Sequence, residues 1–353
     1  MKKKIRVLVC DDSAFVRQIL SRGLAADEGI EVVGSAADPY EARDRIVELR
    51  PDVMTLDVEM PRMNGVEFLR KLMPQYPIPV VMVSSLTEQG KQITLDALAA
   101  GAVDFVQKPK GGVGHLDSVL LELRAKVKIA AAANVSHLKR SREEIFNRPA
   151  VRGTIEGSAK GWCRMIAIGA STGGTEAVAA ILRRMPKSTP GIVIVQHMPP
   201  GFTQLFAQRL NSNSELEVKE AADGDIVTNG RALVAPGGMQ LRVVKVGAEI
   251  RIKIQQGDLV CGHAPSVEVM FDSVATACAK QAIGVILTGM GQDGAQALRT
   301  MRDAGARTLG QDERSCVVYG MPKVAWEKGG VEKQVALETV PEAIDALLRG
   351  GEG

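Results

Sequence analysis

No stretch of this chain approaches the roughly 20 consecutive apolar residues needed to cross a bilayer as a helix, so a membrane-spanning helix is not expected. The opening Met1-Lys-Lys-Lys4 runs straight into Ile5-Arg-Val-Leu-Val9, too short for the apolar region of a signal peptide and without a small-residue cleavage pattern. A cytoplasmic protein with no direct membrane insertion is the expectation. Net charge is scarce as well. The 44 Lys and Arg stand against 41 Asp and Glu, a formal balance of +3, which gives no basis for wholesale binding to nucleic acid or a membrane surface. A compact helix-turn-helix pattern with a basic recognition helix is also missing, which disfavours a DNA-reading output. The five cysteines, Cys10, Cys163, Cys261, Cys278 and Cys316, stand singly, with neither C-x-x-C pairs nor the histidine spacing of a zinc site. They read as reduced thiols, most of them small core residues. Histidine is limited to four positions, so the search for a catalytic base is short.

What is present is alternation. At 353 residues the chain has room for two domains of ordinary size. From residue 5 to about 130, strand-like runs at Arg6 to Cys10, Val32 to Ser35, Val53 to Leu56, Pro79 to Ser84 and Val103 to Val106 alternate with amphipathic stretches such as Ala14 to Ala25 and Pro39 to Leu49. Five such strands imply a doubly wound parallel sheet over residues 1–130. Residues 131–160 read as an interdomain linker, entered by a helix over roughly Leu116 to Ala133. Its basic cluster Lys139-Arg-Ser-Arg142 is a solvated face or a dock for an acidic partner. Over residues 161–350 the alternation resumes, with strands at Met165 to Ile168, Gly191 to Gln196 and Ile283 to Thr288. Between the last two, Gln240 to Val246 and Glu249 to Ile254 alternate on either side of Gly247 and predict a β-hairpin.

A serine among glycines, Gly169-Ala-Ser171-Thr-Gly173-Gly174, lies between the run Met165 to Ile168 and the helix-like Glu176 to Arg184. It fits G-x-S-x-G, in which glycines permit a sharp turn and the following N–H groups can hold an oxyanion. Ser171 is then a nucleophile, or a residue that caps a helix. A dinucleotide site fits less well, because its fingerprint needs glycine where Ser171 stands. His115 and His137 lie in or near the linker. His197 follows Ile192-Val-Ile-Val-Gln196 at the same carboxyl edge of a parallel sheet as Ser171. Asp293, in Gly289-Met-Gly-Gln-Asp293-Gly294, precedes the helix-like Ala295 to Met301, as a cap or as the acid that orients His197. Three such residues on three equivalent turns outweigh three separate caps. A competing set joins Ser171 to His263 and Asp223 or Asp225; it ranks lower because Cys261-Gly-His263-Ala-Pro265 reads as a loop outside any strand-to-helix turn. The chain order Ser, His, Asp differs from that of α/β-hydrolases, so the glycine pattern does not argue for their fold.

The first domain carries its own cluster at strand carboxyl ends: Asp11 and Asp12 after the first strand, Asp57 after the third, Ser84 after the fourth and Lys108 after the fifth. Clustered carboxylates attract a hard cation, preferably Mg²⁺, which neutralises charge as Asp57 attacks a phosphoryl group. Lys108 would pair with the phosphoryl oxygens and Ser84 would donate to one of them.

Asp11-Asp12-Ser13, Leu56-Asp57-Val-Glu-Met-Pro61, Met63-Asn-Gly65, Ser84-Ser85 and Lys108-Pro109 together resemble a two-component receiver domain. From about residue 163 onward the chain resembles the chemotaxis protein-glutamate methylesterase domain, through Ile168 to Gly174, Val195-Gln-His-Met198, Thr288 to Gly294 and Gln311-Asp-Glu-Arg-Ser-Cys316. The resemblance implies two doubly wound α/β domains, a flavodoxin-like (βα)5 receiver and a serine-esterase domain with a largely parallel sheet. It implies a phosphorylation-activated hydrolase that removes methyl esters from glutamyl side chains of methyl-accepting chemotaxis receptors, releasing methanol, and in some members deamidates receptor glutamines. Backbone N–H groups of Thr172 and Met290 would hold the oxyanion, with glycines at 289 and 291 allowing close approach. Asp57 would be phosphorylated by a histidine kinase, with Mg²⁺ serving the receiver alone and Ser84 and Phe105 coupling the acceptor to the surface. In the family the unphosphorylated receiver shields the esterase site. A monomer is expected. The rival class is a non-enzymatic regulator whose second domain only binds a partner upon phosphorylation.

Overall fold

The computed structural model describes residues 3–84, 87–108, 113–135 and 162–350. Ser85, Pro109 and residues 136–160 of the expected linker, with its basic cluster, lie outside the described residues. The chain divides into two compact units, residues 1–142 and 143–353.

In the first unit, β1 (Ile5–Cys10), β2 (Ile30–Ala36), β3 (Val53–Asp57), β4 (Val80–Ser84) and β5 (Asp104–Gln107) form one parallel sheet in the order β2-β1-β3-β4-β5. The strands alternate with α1 (Ala14–Ala25), α2 (Pro39–Leu49), α3 (Gly65–Leu72), α4 (Glu88–Ala100) and α5 (Val113–Ala131). β3 and β4 are buried along their whole length and mostly apolar, as helices on both faces of a parallel sheet require, with the polar Asp57 and Ser84 at their carboxyl ends. The helices start where side chains satisfy their free N–H groups: Ser13 accepts from Val16, Asp38 from Tyr40 and Glu41, Asn64 from Glu67, and Thr87 from Gly90. Strand order reverses between β1 and β3, and the crevice at that switch point lies where Asp11 follows β1 and Asp57 ends β3.

The second unit has a seven-stranded sheet in the order β14-β13-β12-β6-β7-β9-β8, with every neighbouring pair parallel. Its strands are β6 (Met165–Ala170), β7 (Gly191–Gln196), β8 (Glu217–Glu220), β9 (Arg231–Val234), β12 (Ala282–Ile286), β13 (Arg307–Gln311) and β14 (Lys333–Val335). The helices are α6 (Gly174–Leu182), α7 (Phe202–Ser212), α8 (Val267–Cys278), α9 (Ala295–Asp303), α10 (Met321–Glu327) and α11 (Val340–Leu348). The predicted hairpin forms a separate antiparallel pair, β10 (Gln240–Val246) and β11 (Glu249–Gln255), turning at Gly247 with φ +60°. Its inward residues Leu241, Val243, Ile250 and Ile252 join Met270, Phe271 and Val274 of α8 in one core. Truncating a ring as buried as Phe271 typically costs about 3–5 kcal/mol. The hairpin thereby braces the helix whose first turn reaches the site described next.

β6 and β12 are neighbours at the point where this sheet's order also reverses. The strand expected to reach Thr288 stops at Ile286, because Thr288 N–H donates to the side chain of Gln311 instead of to the ladder.

Candidate active site

Three strand-to-helix turns of the second unit share one construction. α6, α7 and α9 begin at glycines in the left-handed region, Gly173 (φ +78°), Gly201 (φ +82°) and Gly294 (φ +83°), without side-chain caps. Ser171, His197 and Asp293 sit just ahead of them, so none of the three is a side-chain cap of its helix. The backbone holds them firmly: Ser171 N–H donates to Thr288 O at 3.0 Å and His197 N–H to Ala170 O at 3.2 Å. Gln196 Nε2 donates to Ser171 O at 2.9 Å. Gly289 lies so close to the serine that a Cβ there would come within 2.7 Å of Ser171 Cβ. Gly291 differs: a Cβ would meet nothing, and its need is the backbone conformation, φ +90°.

The side chains converge. Ser171 Oγ is 3.1 Å from His197 Nδ1, and His197 Nε2 is 2.8 Å from Asp293 Oδ2. An ionised carboxylate only accepts, so Nε2 carries the proton and Nδ1 is free to accept from Ser171. Asp293 is 2% exposed and takes three further donors: Ser266 Oγ at 2.7 Å, Val267 N–H at 2.7 Å and Glu268 N–H at 3.0 Å. The last two belong to the first turn of α8, where the helix dipole also favours negative charge. Burial alone would raise the Asp293 pKa, but the hydrogen bond and charge of His197, the Ser266 hydroxyl and the Glu268 N–H outweigh it and hold it below the ordinary value. Met290 N–H makes no hydrogen bond to another described residue. Thr172 is buried, its carbonyl tied to the Thr288 hydroxyl at 2.9 Å. Burial pushes up all five thiols, with the Asp293 charge adding to the effect at Cys261, so no thiolate competes with the serine.

His263 is brought to the same place, against the face of His197. Its ring stacks on His197 with centroids 3.7 Å apart and planes 14° from parallel. Asp223 and Asp225, its supposed partners in the competing set, are bonded elsewhere, to Lys253 and the Ile254 N–H and to Lys219 and the Ala222 N–H.

In the first unit, Lys108 Nζ lies 2.7 Å from Asp57 Oδ2 and 2.9 Å from Asp11 Oδ2. One oxygen from each of Asp11, Asp12 and Asp57 falls within 4.8 Å of the others, an all-oxygen set suited to a hard divalent cation. Burial pushes Asp57 up to about 6, with the Asp11 charge adding and the Lys108 hydrogen bond opposing. The Ser84 hydroxyl points to α4, accepting from Thr94 Oγ1 at 2.7 Å and donating to Gly90 O at 3.3 Å. Phe105 is buried under the Lys126 ammonium, 5.0 Å from the ring centroid.

The family profile described as CheB methylesterase matches residues 166–344, and that of the response regulator receiver domain matches residues 7–116. The chain belongs to the CheB methylesterase family. A relative from Syntrophotalea carbinolica named protein-glutamate methylesterase/protein-glutamine glutaminase is 60% identical, across 98% of this chain and 99% of that protein. A Caulobacter vibrioides protein with the same name, numbered 1, is 52% identical across 97% of each. The crystal structure of the Thermotoga maritima CheB methylesterase catalytic domain is 36% identical, with TM-score 0.51, covering 52% of this chain and 98% of that one. The family's two-part α/β architecture is the one seen in this chain. Three residues that build the site escaped sequence reasoning: Gln240, Ser266 and His263 in its stacking role. Only Ser266, two residues after the Cys261-Gly-His-Ala loop and starting the apolar helix α8, carried a readable signal, that of a helix cap.

Proposed function

We infer that this chain is a phosphorylation-activated serine hydrolase that demethylates glutamyl methyl esters of methyl-accepting chemotaxis receptors. The observation that carries this reading is the continuous line Ser171 Oγ, His197 Nδ1, His197 Nε2, Asp293 Oδ2, with spacings of 3.1 and 2.8 Å. Ser171 Oγ attacks the ester carbonyl as its proton passes to His197 Nδ1, and the imidazolium is stabilised by the ionised Asp293. Met290 and Thr172 N–H groups stabilise the oxyanion. As the tetrahedral intermediate collapses, His197 returns the proton to the departing methoxide, releasing methanol. Water activated at the same nitrogen then cleaves the acyl-enzyme, leaving glutamate and free Ser171. The relatives' names include a glutaminase, and the same steps with ammonia as leaving group deamidate a glutamine.

Asp57 is the phosphoacceptor in this reading, with a histidine kinase as donor. Asp11, Asp12 and Asp57 fit Mg²⁺ by their oxygen-only donor set, and the ion when bound supplies positive charge against the incoming phosphoryl group. Lys108, already between Asp11 and Asp57, is placed to pair with phosphoryl oxygens, while Ser84 must leave Thr94 and Gly90 to do so. Phosphorylation must favour an arrangement in which the esterase site is accessible. No helix among the described residues is long and apolar enough to cross a membrane. The test is methanol release from methylated receptor, with and without a small phosphodonor. Release stimulated by the donor and abolished in Ser171→Ala supports the reading; turnover retained in Ser171→Ala overturns it.

A further inference from the structure

Two hydrogen bonds at its nitrogens keep the His197 ring from sliding in its own plane, but hydrogen bonds tolerate out-of-plane tilt far better than they tolerate lengthening. A tilt of this ring carries Nδ1 away from Ser171. The face of the ring is covered by His263, at 3.7 Å and 14° from parallel. That second ring is itself held with care. Val260 N–H donates to His263 O and His263 N–H to Val260 O, at 3.1 and 3.0 Å, closing a two-residue turn. Both central residues have positive φ, Cys261 at +53° and Gly262 at +85°, the pattern of a type I′ turn. A cysteine in this conformation is strained, and such strain persists only where surrounding structure over-determines it.

The surroundings do so through Gln240, 3% exposed at the start of β10. Its Nε2 donates to His263 O and Asp258 O, both at 3.0 Å, and its Oε1 accepts from Ser266 N–H at 3.0 Å. Ser266 in turn donates to Asp293. One buried glutamine therefore ties down both the backbone that carries the stacking ring and the backbone of a donor to the acid.

We propose that His263 is a positioning residue for the esterase reaction, whose stacked ring holds His197 in the plane that joins Ser171 to Asp293. The ring supplies a flat aromatic face parallel to that of His197. This rests on His197 being the base for Ser171. The role needs an aromatic plane at residue 263 and no proton transfer by it.

The experiment uses the full chain and methylated receptor, with His263→Ala, His263→Phe and His197→Gln compared to the parent protein. His263→Ala is expected to lower kcat by roughly ten- to a hundredfold, with KM changed less than about twofold, since a small misplacement of the base acts on the chemical step. His263→Phe restores kcat to within about threefold, because it retains the stacked face. The low-field proton resonance of His197 Nε2–H, hydrogen-bonded to Asp293, is expected in the parent protein and in His263→Phe and is lost to solvent exchange in His263→Ala. A folded His263→Ala protein with unchanged kcat and an unchanged resonance overturns the proposal. So does a His263→Phe protein as slow as His263→Ala. If His197→Gln is inactive while His263→Ala is fully active, only the positioning role fails; if His197→Gln is also active, the triad fails with it.

Discussion

Asp57 and Asp293 are both aspartates at the carboxyl edge of a parallel sheet, 1% and 2% exposed, yet their surroundings are opposite. Around Asp57 stand two more carboxylates and a single ammonium, so burial wins and the group is pushed up to about 6. Around Asp293 converge His197, Ser266 and two N–H groups from the first turn of α8, and the group is held down. Burial is common to both, so the donors decide. An under-neutralised carboxylate is prepared to take up a cation and a phosphoryl group; a fully satisfied one holds an imidazole still and stays charged throughout the neutral range. On the proposed function, the same fold position would serve as a chemical input in one unit and as a fixed support in the other.

The strongest way to break this contrast is to remove the charge from the support. Asp293→Asn keeps the size but presents an amide to an array of donors, and His197 loses the acceptor that sets its tautomer. Methanol release is expected to fall by about 10³–10⁴-fold, as loss of the tautomer-setting acid does in other triads. Ser266→Ala probes the support more gently. It removes one donor from Asp293 and the cap that accepts from Val269 N–H, so urea unfolding should report a loss of about 1–3 kcal/mol and kcat should fall by roughly tenfold.

At the input the sign reverses. A native pKa of about 6, above the ordinary 3.8, means that the folded unit holds this proton more tightly than the unfolded chain. Stability from this group is therefore present below about pH 4 and is lost as pH rises through about 6, by at most about 3 kcal/mol. Asp57→Asn should stabilise the first unit by about 1–3 kcal/mol at pH 8 in the presence of a chelator and by little at pH 4. Added Mg²⁺ should narrow the difference by stabilising the parent protein. Thermal unfolding across pH, with and without Mg²⁺, measures it. In the same variant the ratio of phosphodonor-stimulated to basal methanol release should fall to about one.

Much of this was legible in the sequence where the physics is local. Long apolar runs marked β1, β3, β4, β6 and β7, and the bounds of α1 and α2 follow from Ser13 and from Asp38 with Pro39. Asp57, Ser171, His197 and Asp293 stood out because each follows a buried strand. The short strands β8, β9, β13 and β14 did not, since Glu217-Val-Lys-Glu220 and Lys333-Gln-Val335 are mostly polar and pair at or near the sheet's edges. By its sequence His263 lies in a loop and is a weaker candidate for the base than His197. What brings it to His197 is a tight turn with a left-handed cysteine and a glutamine 23 residues earlier in the chain, and neither has a periodic signature. Contacts made through loops and buried amides are set by tertiary packing, which no local pattern announces.

On the proposed function, Ser171 is an activated nucleophile whose reactivity depends on His197 and whose accessibility depends on Asp57. An active-serine phosphonate probe applied to the full chain, with the adduct mapped by mass spectrometry, tests it most directly. One adduct is expected, on Ser171, formed faster with a phosphodonor and lost in His197→Gln. Labelling of a different residue, or labelling of Ser171 at the same rate in His197→Gln, would contradict it.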